Sequence, residues 1–387
     1  MKSIVIKGVC IALAVLLGCL EPNYAPQQFS LPPSSVEQRA SSIEDSAPRF
    51  IDAPTPAVHA STITELPNGK FMLAWFGGSK EGAPDVKIYC CEMDWDGNFS
   101  QPKVLLDRKT LQSQVGRYIR KLGNPLLYFQ NGRLHFFVVS VSVGGWSGSS
   151  INHAYSDDLG KTWSTFHRFQ ISPLFNVSAL VRCPPVAMTN DSLGLPIYHE
   201  FIHKYGELIV MNKEGQICDR SKVHPDLRSL QPCVAALNPT KAFIVLRNGR
   251  KNGGLVKAAI TSDAGQSWQI LPDLPIKNPD SCLALLNVDD TLLMVGNPIQ
   301  GRKELTLWKS SMNNLQNWTA CETLEKESKG EFSYPSLIQD SAGRVHLIYT
   351  WKRKSICHRF LPSSLWENAS ASQDKASKQD NQTGGER

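Results

Sequence analysis

The sequence comprises 387 residues, enough for one large β or α/β domain or for two or three smaller domains. Hydrophobic residues make up 41 % and charged residues 20 %, with 27 glycines and 24 prolines. This composition is typical of a turn-rich globular protein and excludes collagen, a coiled coil and a wholly disordered chain. The net charge of +6 arises without a long basic block, which disfavours a dedicated nucleic-acid binder and is compatible with an anionic small substrate.

The N-terminus has the pattern of an export signal. Lys2 and Lys7 accompany an apolar run from Val9 to Leu20, which is shorter than a membrane span. Leu16-Leu17-Gly18-Cys19 resembles a bacterial lipoprotein box, whose cysteine carries the lipid; the alternative is ordinary cleavage nearer Ala25. Both alternatives predict an exported chain that is secreted, periplasmic or lipid-anchored to the outer surface.

Composition also divides the rest of the chain. Residues 1–25 are the predicted signal, and residues 26–47 are rich in Pro, Ser and Gln and predict a linker. Residues 363–387 are predicted to be a disordered tail, since from Glu367 onward no apolar residue is larger than alanine. The folded domain is therefore expected over residues 48–362.

Between these segments, short apolar runs alternate with Gly, Asn and Asp turns. Runs such as 71–76, 134–143, 242–247 and 345–351 have strand length and are rich in Val, Ile, Phe and Tyr. No window carries a sustained helical stripe. The pattern predicts an all-β protein.

A repeated turn makes this prediction more specific. Residues 156–163 read SDDLGKTW and residues 261–268 read TSDAGQSW, with weaker echoes ending near Trp318 and around residue 95. The Asp can accept backbone N–H groups, the Gly adopts a conformation closed to other residues, and the Trp packs the hairpin against its sheet. Copies 105 residues apart fit four-stranded units of roughly 50 residues, which is the spacing of six propeller blades.

This turn resembles the Asp-box, or bacterial neuraminidase repeat, of the sialidase superfamily. Further phrases resemble its sialidase-like branch: HASTITELPNGKFMLAWFGG from His59, EGAPDVKIY from Glu81, LGNPLL from Leu122, LPIYHEFIHKYGE from Leu195 and FSYPSLIQ from Phe332. The resemblance implies a six-bladed β-propeller, a glycoside hydrolase that uses a Tyr nucleophile, a three-arginine carboxylate clamp, and no cofactor. Because Asp-boxes also occur in non-enzymes, the function has to be argued from the pocket residues.

Three residues match the family's machinery. Tyr334, in the phrase before the strand VHLIYTW, matches the nucleophile. Arg247 and Arg302 match two of the three arginines, whose guanidinium forks suit a carboxylate. The alternative interpretations are a Tyr stacked between blades and two surface salt bridges.

Two positions depart from the family pattern, so the family's mechanism does not transfer directly to this chain. His59 occupies the register of the first arginine, and Arg49 is a poor substitute for it. Gln231 stands where the Glu that activates the Tyr is expected, and an amide cannot take a proton. Either another carboxylate such as Glu200 replaces it in space, or the mechanism differs, or the protein does not catalyse.

The acid/base position has two candidates. Glu81 aligns best with the family's Asp, and Asp85 aligns less well. Both follow Gly77-Gly78, a flexible lead-in for a mobile loop. An exposed loop carboxylate is the alternative for each.

A polar cluster completes the set of candidates. His199 and Glu200 are expected at the pocket rim, facing a sugar, and Trp146 is either a sugar platform or a blade plug. HEFIH, at residues 199–203, matches the zinc-binding HExxH pattern, but the surrounding glycines and Pro196 disfavour the helix this motif needs. None of the eight cysteines beyond the signal forms a C-x-x-C pair, so we expect no metal; disulfides and buried free thiols stay open.

The sequence thus predicts an exported, monomeric exo-glycosidase that acts on a terminal acidic sugar, sialic acid or a related one, of a glycan or sialoglycoconjugate. The alternatives are an exo-glycosidase for a different terminal sugar and a non-catalytic carbohydrate-binding propeller.

Overall fold

A computed structural model describes residues 27–31, 46–171, 178–250 and 254–367. The predicted signal lies outside these residues. Six small antiparallel sheets form a closed six-bladed β-propeller, as predicted. Among the described residues, no helix has the length and apolar character that crossing a membrane requires.

Each blade is numbered by its place in the chain, and its strands are given from the innermost outward. Blade 1 comprises β2 (Ala57–Glu65), β3 (Phe71–Gly78), β4 (Lys87–Met93) and β5 (Lys103–Leu106). Blade 2 comprises β6 (Lys121–Gln130), β7 (Arg133–Val141), β8 (Ser149–Ser156) and β9 (His167–Arg168). Blade 3 comprises β10 (Leu180–Val181), β12 (Leu193–Glu200), β13 (Lys204–Met211) and β14 (Ile217–Lys222), with β11 (Val186–Ala187) paired to β12.

The second half of the ring repeats the arrangement. Blade 4 comprises β15 (Ser229–Ala236), β16 (Ala242–Asn248), β17 (Lys257–Thr261) and β18 (Gln269–Ile270). Blade 5 comprises β19 (Ala284–Val288), β20 (Thr291–Gly296), β21 (Glu304–Ser311) and β22 (Thr319–Lys326). Blade 6 comprises β23 (Phe332–Gln339), β24 (Val345–Trp351), β25 (Ser355–Leu361) and β1 (Arg49–Phe50).

The two ends of the propeller close the ring in blade 6. Strand β1 pairs with β25, with Arg49 opposite His358 and Phe50 opposite Cys357. Because the first strand of the chain completes the last blade, the ring has no open seam there. This pairing also places Arg49 on the outermost strand, away from the axis.

Within the described ranges, one short helix departs from the all-β pattern. Helix α1 (Arg108–Val115) begins at Asp107, whose side chain accepts the backbone N–H of Thr110 at 2.8 Å. It ends at Gly116, which has a left-handed φ of 60°. Single helical turns also cover Trp146–Gly148, Gln300–Arg302 and Ser363–Leu365.

The Asp-boxes occupy equivalent hairpins between the third and fourth strands of blades 2 and 4. Asp158 accepts from the backbone N–H and the hydroxyl of Thr162, at 2.8 and 2.6 Å. Asp263 makes the same pair of contacts to Ser267. The tryptophans that follow, Trp163 and Trp268, therefore lie two blades apart in equivalent places.

A short part of each predicted flanking segment packs against the propeller. Phe29 bridges to Met188 and is buried between blades 3 and 4, against Val210, Ala242 and Ala264. At the other end, Trp366 is buried against blades 5 and 6, and its carbonyl accepts from Lys309 Nζ at 3.2 Å. In each case one aromatic side chain gains enough buried apolar surface to hold a short polar segment in place.

The core lies between the faces of neighbouring blades rather than along the axis. One apolar cluster joins blades 1 and 2, a second joins blades 2 and 3, and others join blades 4 with 5 and 5 with 6. Polar side chains are therefore left to fill the centre of the ring, where the innermost strands meet.

Two buried histidines in blade 2 make the fold sensitive to acid. Nδ1 of His135 lies 3.0 Å from Nε2 of His153, and the ring of His167 approaches His153 to 5.0 Å. Burial, reinforced by the charge of Arg133, lowers the pKa of His135 to about 4, while the nearby Asp157 acts in the opposite direction. Burial and the neighbouring histidines lower the pKa of His153 as well.

We predict that the free energy of unfolding falls as the pH drops from about 6.5 to 4. In this window unfolded histidine binds a proton and folded His135 does not, so protons favour the unfolded state. His135 alone would remove about 3 kcal/mol by pH 4. Urea denaturation at several pH values measures how steeply the free energy of unfolding depends on pH. His135→Phe should reduce this slope, whereas His203→Gln, at an exposed position, should leave it unchanged. An unchanged slope in His135→Phe would contradict this assignment.

Candidate active site

A repeated backbone feature turns polar side chains toward the centre of the ring. Each blade has one non-glycine residue with a positive φ within or just before its innermost strand. In blades 1, 2, 4 and 6 it coincides with a β-bulge, where the register shifts between the first two strands. The six residues are Ala60, Asn124, Ser178, Gln231, Asp280 and Tyr334. Such strained positions cluster at functional sites, and four of these six contribute to the network described below.

Gln231 is the hub of a hydrogen-bond chain across the ring. Its Oε1 accepts from Nη1 of Arg247 at 3.0 Å, and because a guanidinium only donates, this contact fixes the amide orientation. Nε2 then donates to the hydroxyls of Tyr198 and Tyr334, each at 3.2 Å. Asn124 also donates to the Tyr198 hydroxyl, at 3.1 Å. The chain thus joins blades 2, 3, 4 and 6.

The hydroxyl of Tyr334 therefore faces an amide donor. Within the described parts of the chain, Gln231 is the one side chain hydrogen-bonded to this hydroxyl. Glu200 does not reach it: this partly exposed residue ends β12, and its backbone N–H donates to Ser178 Oγ. The expected replacement of the missing base by Glu200 is not observed.

Four arginines surround the same tyrosine. Arg182, which is only 1 % exposed, donates through Nη2 to the carbonyl oxygens of Tyr334 and Pro335 at 2.6 and 3.0 Å. Its guanidinium carbon lies 5.1 Å from the centre of the Tyr334 ring, and that of Arg302 lies 5.4 Å from it. Arg247 reaches the tyrosine through Gln231, and Arg353, in the β24–β25 turn, lies on the cavity wall with His59, whose ring contacts Tyr334.

Arg247 is held as a permanent cation. Its Nε and Nη2 donate to Oδ1 of Asp280 at 2.9 and 2.8 Å. Burial opposes its charge, but Tyr334 and Asp280 more than offset this and raise the pKa of Arg247. Most of its donors are therefore occupied by protein acceptors.

Two carboxylates connect the remaining arginines. Oε1 of Glu331 accepts from Nη1 of Arg302 at 3.4 Å and from Nε of Arg353 at 2.8 Å. Glu81 accepts from Nη1 of Arg353 at 2.7 Å. Glu81 thus lies at the site, as its alignment with the family's acid/base residue predicts. Arg353 bridges blades 1 and 6 across the rim.

His59 is buried between Tyr334 and Phe76. The ring centres of His59 and Tyr334 are 4.1 Å apart, and Nδ1 of His59 pairs with the Thr350 hydroxyl at 3.0 Å. Burial, followed by the charge of Arg353 and the other three arginines, lowers the pKa of His59 well below its usual range. His59 is therefore neutral near pH 7 and cannot replace the family's first arginine as a cation. Arg353, from blade 6, places a guanidinium on the wall of the same cavity.

A cavity of about 410 Å³ opens beside this cluster, between blades 1 and 6. Its wall includes His59, Phe76, Glu81, Glu331 and Arg353. This volume lies within the range of small-ligand sites, roughly 300–1,000 Å³. The wall combines an aromatic ring, a neutral imidazole and alternating charges, which suits a polar ligand the size of a sugar.

Asp85 supports the loop instead of lining the cavity. Its carboxylate accepts from the backbone N–H and hydroxyl of Ser79, at 2.9 and 3.0 Å, and these bonds lower the pKa of Asp85. Of the two acid/base candidates, the structure therefore places only Glu81 at the cavity.

The predicted rim residues have other contacts. His199 pairs with Glu207 at 2.9 Å and stacks on Tyr205, within a β-hairpin and not a helix, so HEFIH is not a zinc site here. No group of potential metal ligands occurs among the described residues. Trp146 packs on Gly123 and carries Lys121 Nζ 4.0 Å above its ring, a contact that occupies the proposed sugar platform.

Sequence reasoning missed Tyr198, Arg182, Glu331 and Arg353. The last two flank matched phrases, since Glu331 lies three residues before Tyr334 and Arg353 closes the turn after VHLIYTW. Tyr198 directly precedes the HEFIH phrase, which carries no signal for a buried tyrosine at that position. Arg182 had no signal, since its role depends on a bulge in another blade.

The comparisons with known proteins agree with this geometry. Residues 69–347 match the BNR repeat-like domain family. The chain belongs to that family. A search of curated proteins found no match for its sequence.

Solved sialidases share the fold of this BNR repeat-like protein. The Hadza microbial sialidase Hz136 superimposes with a TM-score of 0.66 at 15 % identity, covering 80 % of this chain and 66 % of its own. The Ruminococcus gnavus intramolecular trans-sialidase gives 0.61 at 12 % identity, covering 87 % and 100 %. A Dyadobacter fermentans protein of unknown function gives 0.65 at 13 % identity, covering 83 % and 98 %. At these identities the likeness shows a sialidase-like fold.

We predict that Gln231→Leu destabilises the BNR repeat-like protein by roughly 2 to 4 kcal/mol, because it removes the acceptor of Arg247 Nη1 and the donor to the hydroxyls of Tyr198 and Tyr334. Gln231→Glu should cost less, since a carboxylate accepts from all three groups. Urea denaturation measures the free energy of unfolding of both variants. The control is Gln339→Leu, which removes one bond to the Gly343 carbonyl. Equal losses in the two leucine variants would contradict the role of Gln231 as the hub.

Proposed function

We propose that this chain is a glycoside hydrolase that removes a terminal sugar carrying a carboxylate, sialic acid or a related one, from glycans. The observation that carries the proposal is the set of four arginines around Tyr334, beside a cavity of about 410 Å³. Such a cluster favours an anionic ligand, because guanidinium groups bind carboxylates through paired N–H donors.

Arg302 and Arg353 are the better candidates for substrate contact. Arg247 donates to Asp280 and Gln231, and Arg182 donates through Nη2 to two carbonyl oxygens. The observed contact of Arg302, by contrast, is a single bond to Glu331 at 3.4 Å. A guanidinium has five N–H donors, so Arg302 keeps donors for a substrate carboxylate.

Tyr334 is the proposed nucleophile. Since its oxygen accepts from Gln231, its own hydrogen is left to face the ligand. Attack on the anomeric carbon would form a carbon–oxygen bond as the glycosidic bond breaks, with the phenolic proton passing to a water molecule on the side away from Gln231. Water would later attack the same carbon, which releases the sugar and returns a proton to the phenol oxygen. The guanidinium groups of Arg182 and Arg302 would stabilise negative charge developing on this side of the ring. Glu81, on the cavity wall, is the proposed proton donor to the leaving oxygen.

One observation favours a second candidate, a carbohydrate-binding propeller without turnover. In the described part of the chain, no carboxylate accepts a hydrogen bond from the Tyr334 hydroxyl, so no side chain there takes its proton. The arginines and the cavity would then bind an acidic glycan and release it unchanged.

Export is proposed from the N-terminal pattern of Lys2, Lys7 and the apolar run from Val9 to Leu20. An exported enzyme would meet surface or secreted sialoglycoconjugates as substrates. Attachment through Cys19 and a monomeric state are parts of the same proposal. Intact-mass measurement of the mature chain separates lipidation from simple cleavage.

We predict that Tyr334→Phe lowers turnover at least about a thousandfold and leaves binding within a fewfold of wild type, since the ring is kept and only the hydroxyl is lost. The assay is a panel of aryl glycosides, beginning with the α-sialoside, with calorimetry for binding. Tyr205→Phe, which alters a phenol on blade 3 outside the cavity, is the matched control. Full activity in Tyr334→Phe would reject the nucleophile; binding without turnover in the wild type would favour the second candidate.

The arginine assignment makes a separate prediction. Arg302→Met and Arg353→Met should each weaken binding of an acidic sugar by about 2 kcal/mol, or roughly 30-fold, while binding of its methyl ester changes little. Calorimetry with the acid and the ester gives the comparison. Arg220→Met, which removes an arginine bonded to the Ile171 carbonyl, is the control. An equal loss of binding affinity for the acid and the ester would show that neither arginine binds the carboxylate.

A further inference from the structure

Three cysteines from neighbouring blades meet behind the site. Cys183 follows β10 of blade 3, Cys233 lies in β15 of blade 4, and Cys282 precedes β19 of blade 5. All three are buried in the same apolar cluster, against which Tyr334 also packs. The Sγ atoms of Cys183 and Cys233 lie 2.6 Å apart.

We propose that Cys183 and Cys233 form a disulfide that links blade 3 to blade 4. Their separation of 2.6 Å is shorter than a hydrogen bond between thiols needs and lies about 0.5 Å above the covalent S–S distance of about 2.05 Å. The structure holds the pair as thiols.

The Sγ–Sγ distance of 2.6 Å favours the pairing of Cys183 with Cys233. Cys233 donates to the carbonyl of Leu283 at 2.9 Å, whereas Cys282 donates to that carbonyl at 3.4 Å. Cys282 also contacts Cys183 and is the competitor in the cluster. Cys90 and Cys91 are consecutive in β4, so their side chains point to opposite faces and do not pair with each other.

The reaction balances with a small disulfide as the oxidant. Two thiols lose two electrons and two protons as the Sγ–Sγ bond forms, and glutathione disulfide takes them up as its own bond breaks to give two glutathione thiols. Burial raises the pKa of Cys183, so exchange in the closed protein is slow. The bond therefore forms as the chain folds, before the blades close over the pair.

This disulfide would link the two chain segments that carry the hydrogen-bond donors to Tyr334. Cys183 directly follows Arg182, which donates to the Tyr334 carbonyl, and Cys233 lies two residues after Gln231, which donates to its hydroxyl. Oxidation would fix the separation of these two donors. The inference does not depend on the proposed hydrolase activity, because it rests on the thiols alone.

The decisive experiment maps the bond in the full chain. The protein is refolded with reduced and oxidised glutathione, its free thiols are alkylated under denaturing conditions, and a non-reducing digest is analysed by mass spectrometry. We expect a peptide pair linked through Cys183 and Cys233. Alkylation of both cysteines, or a link between Cys183 and Cys282, would overturn the proposal.

Thermal unfolding gives a second readout. The bond would close a loop of 50 residues, so dithiothreitol added during refolding should lower the Tm of the wild type by roughly 5 to 10 °C. The Cys183→Ser/Cys233→Ser double variant should lose this response, and Cys282→Ser should keep it. An equal response in the wild type and the double variant would contradict the bond. If the double variant does not fold, the peptide map alone decides.

Discussion

The hydrogen bond from Arg247 to Gln231 determines the polarity of the whole centre. A guanidinium can only donate, so the amide oxygen must face Arg247 and the amide nitrogen must face Tyr198 and Tyr334. Both tyrosine oxygens are consequently acceptors toward Gln231. Any proton that Tyr334 gives up has to leave on the ligand side, and any base that receives it belongs to the substrate, to water or to a group that moves.

The charges of the site are arranged around this fixed amide. Asp280 forms an ion pair with Arg247, and Glu331 forms ion pairs with Arg302 and Arg353. These carboxylates therefore contact arginines and not the Tyr334 hydroxyl. Adding His59 as a fifth cation would be costly here, and burial together with the surrounding arginines keeps it neutral. The guanidinium on the cavity wall beside His59 is that of Arg353.

The fold was predictable because the Asp-box is a local motif. Asp158, Gly160 and Trp163 lie within six residues of each other and determine one hairpin, and its recurrence gives the number of blades. The residues at the centre of the ring, by contrast, are not determined by a local motif. Tyr334 and Gln231 are 103 residues apart, and each projects inward because its own strand bulges at that point. Bulges with a non-glycine residue at positive φ leave no compositional mark, so sequence reasoning found these two residues by likeness and missed Arg182.

The same bulges hold the central side chains in place. Because backbone strain at Gln231 and Tyr334 is offset by the packed blades on each side, the two side chains stay in place whatever their chemistry. Compared with a carboxylate, the amide at position 231 lacks a proton acceptor but keeps the scaffold and the arginines. The two proposed functions, binding and hydrolysis, would therefore differ by the fate of a single phenolic proton, and in both of them the guanidinium groups would recognise the acidic sugar.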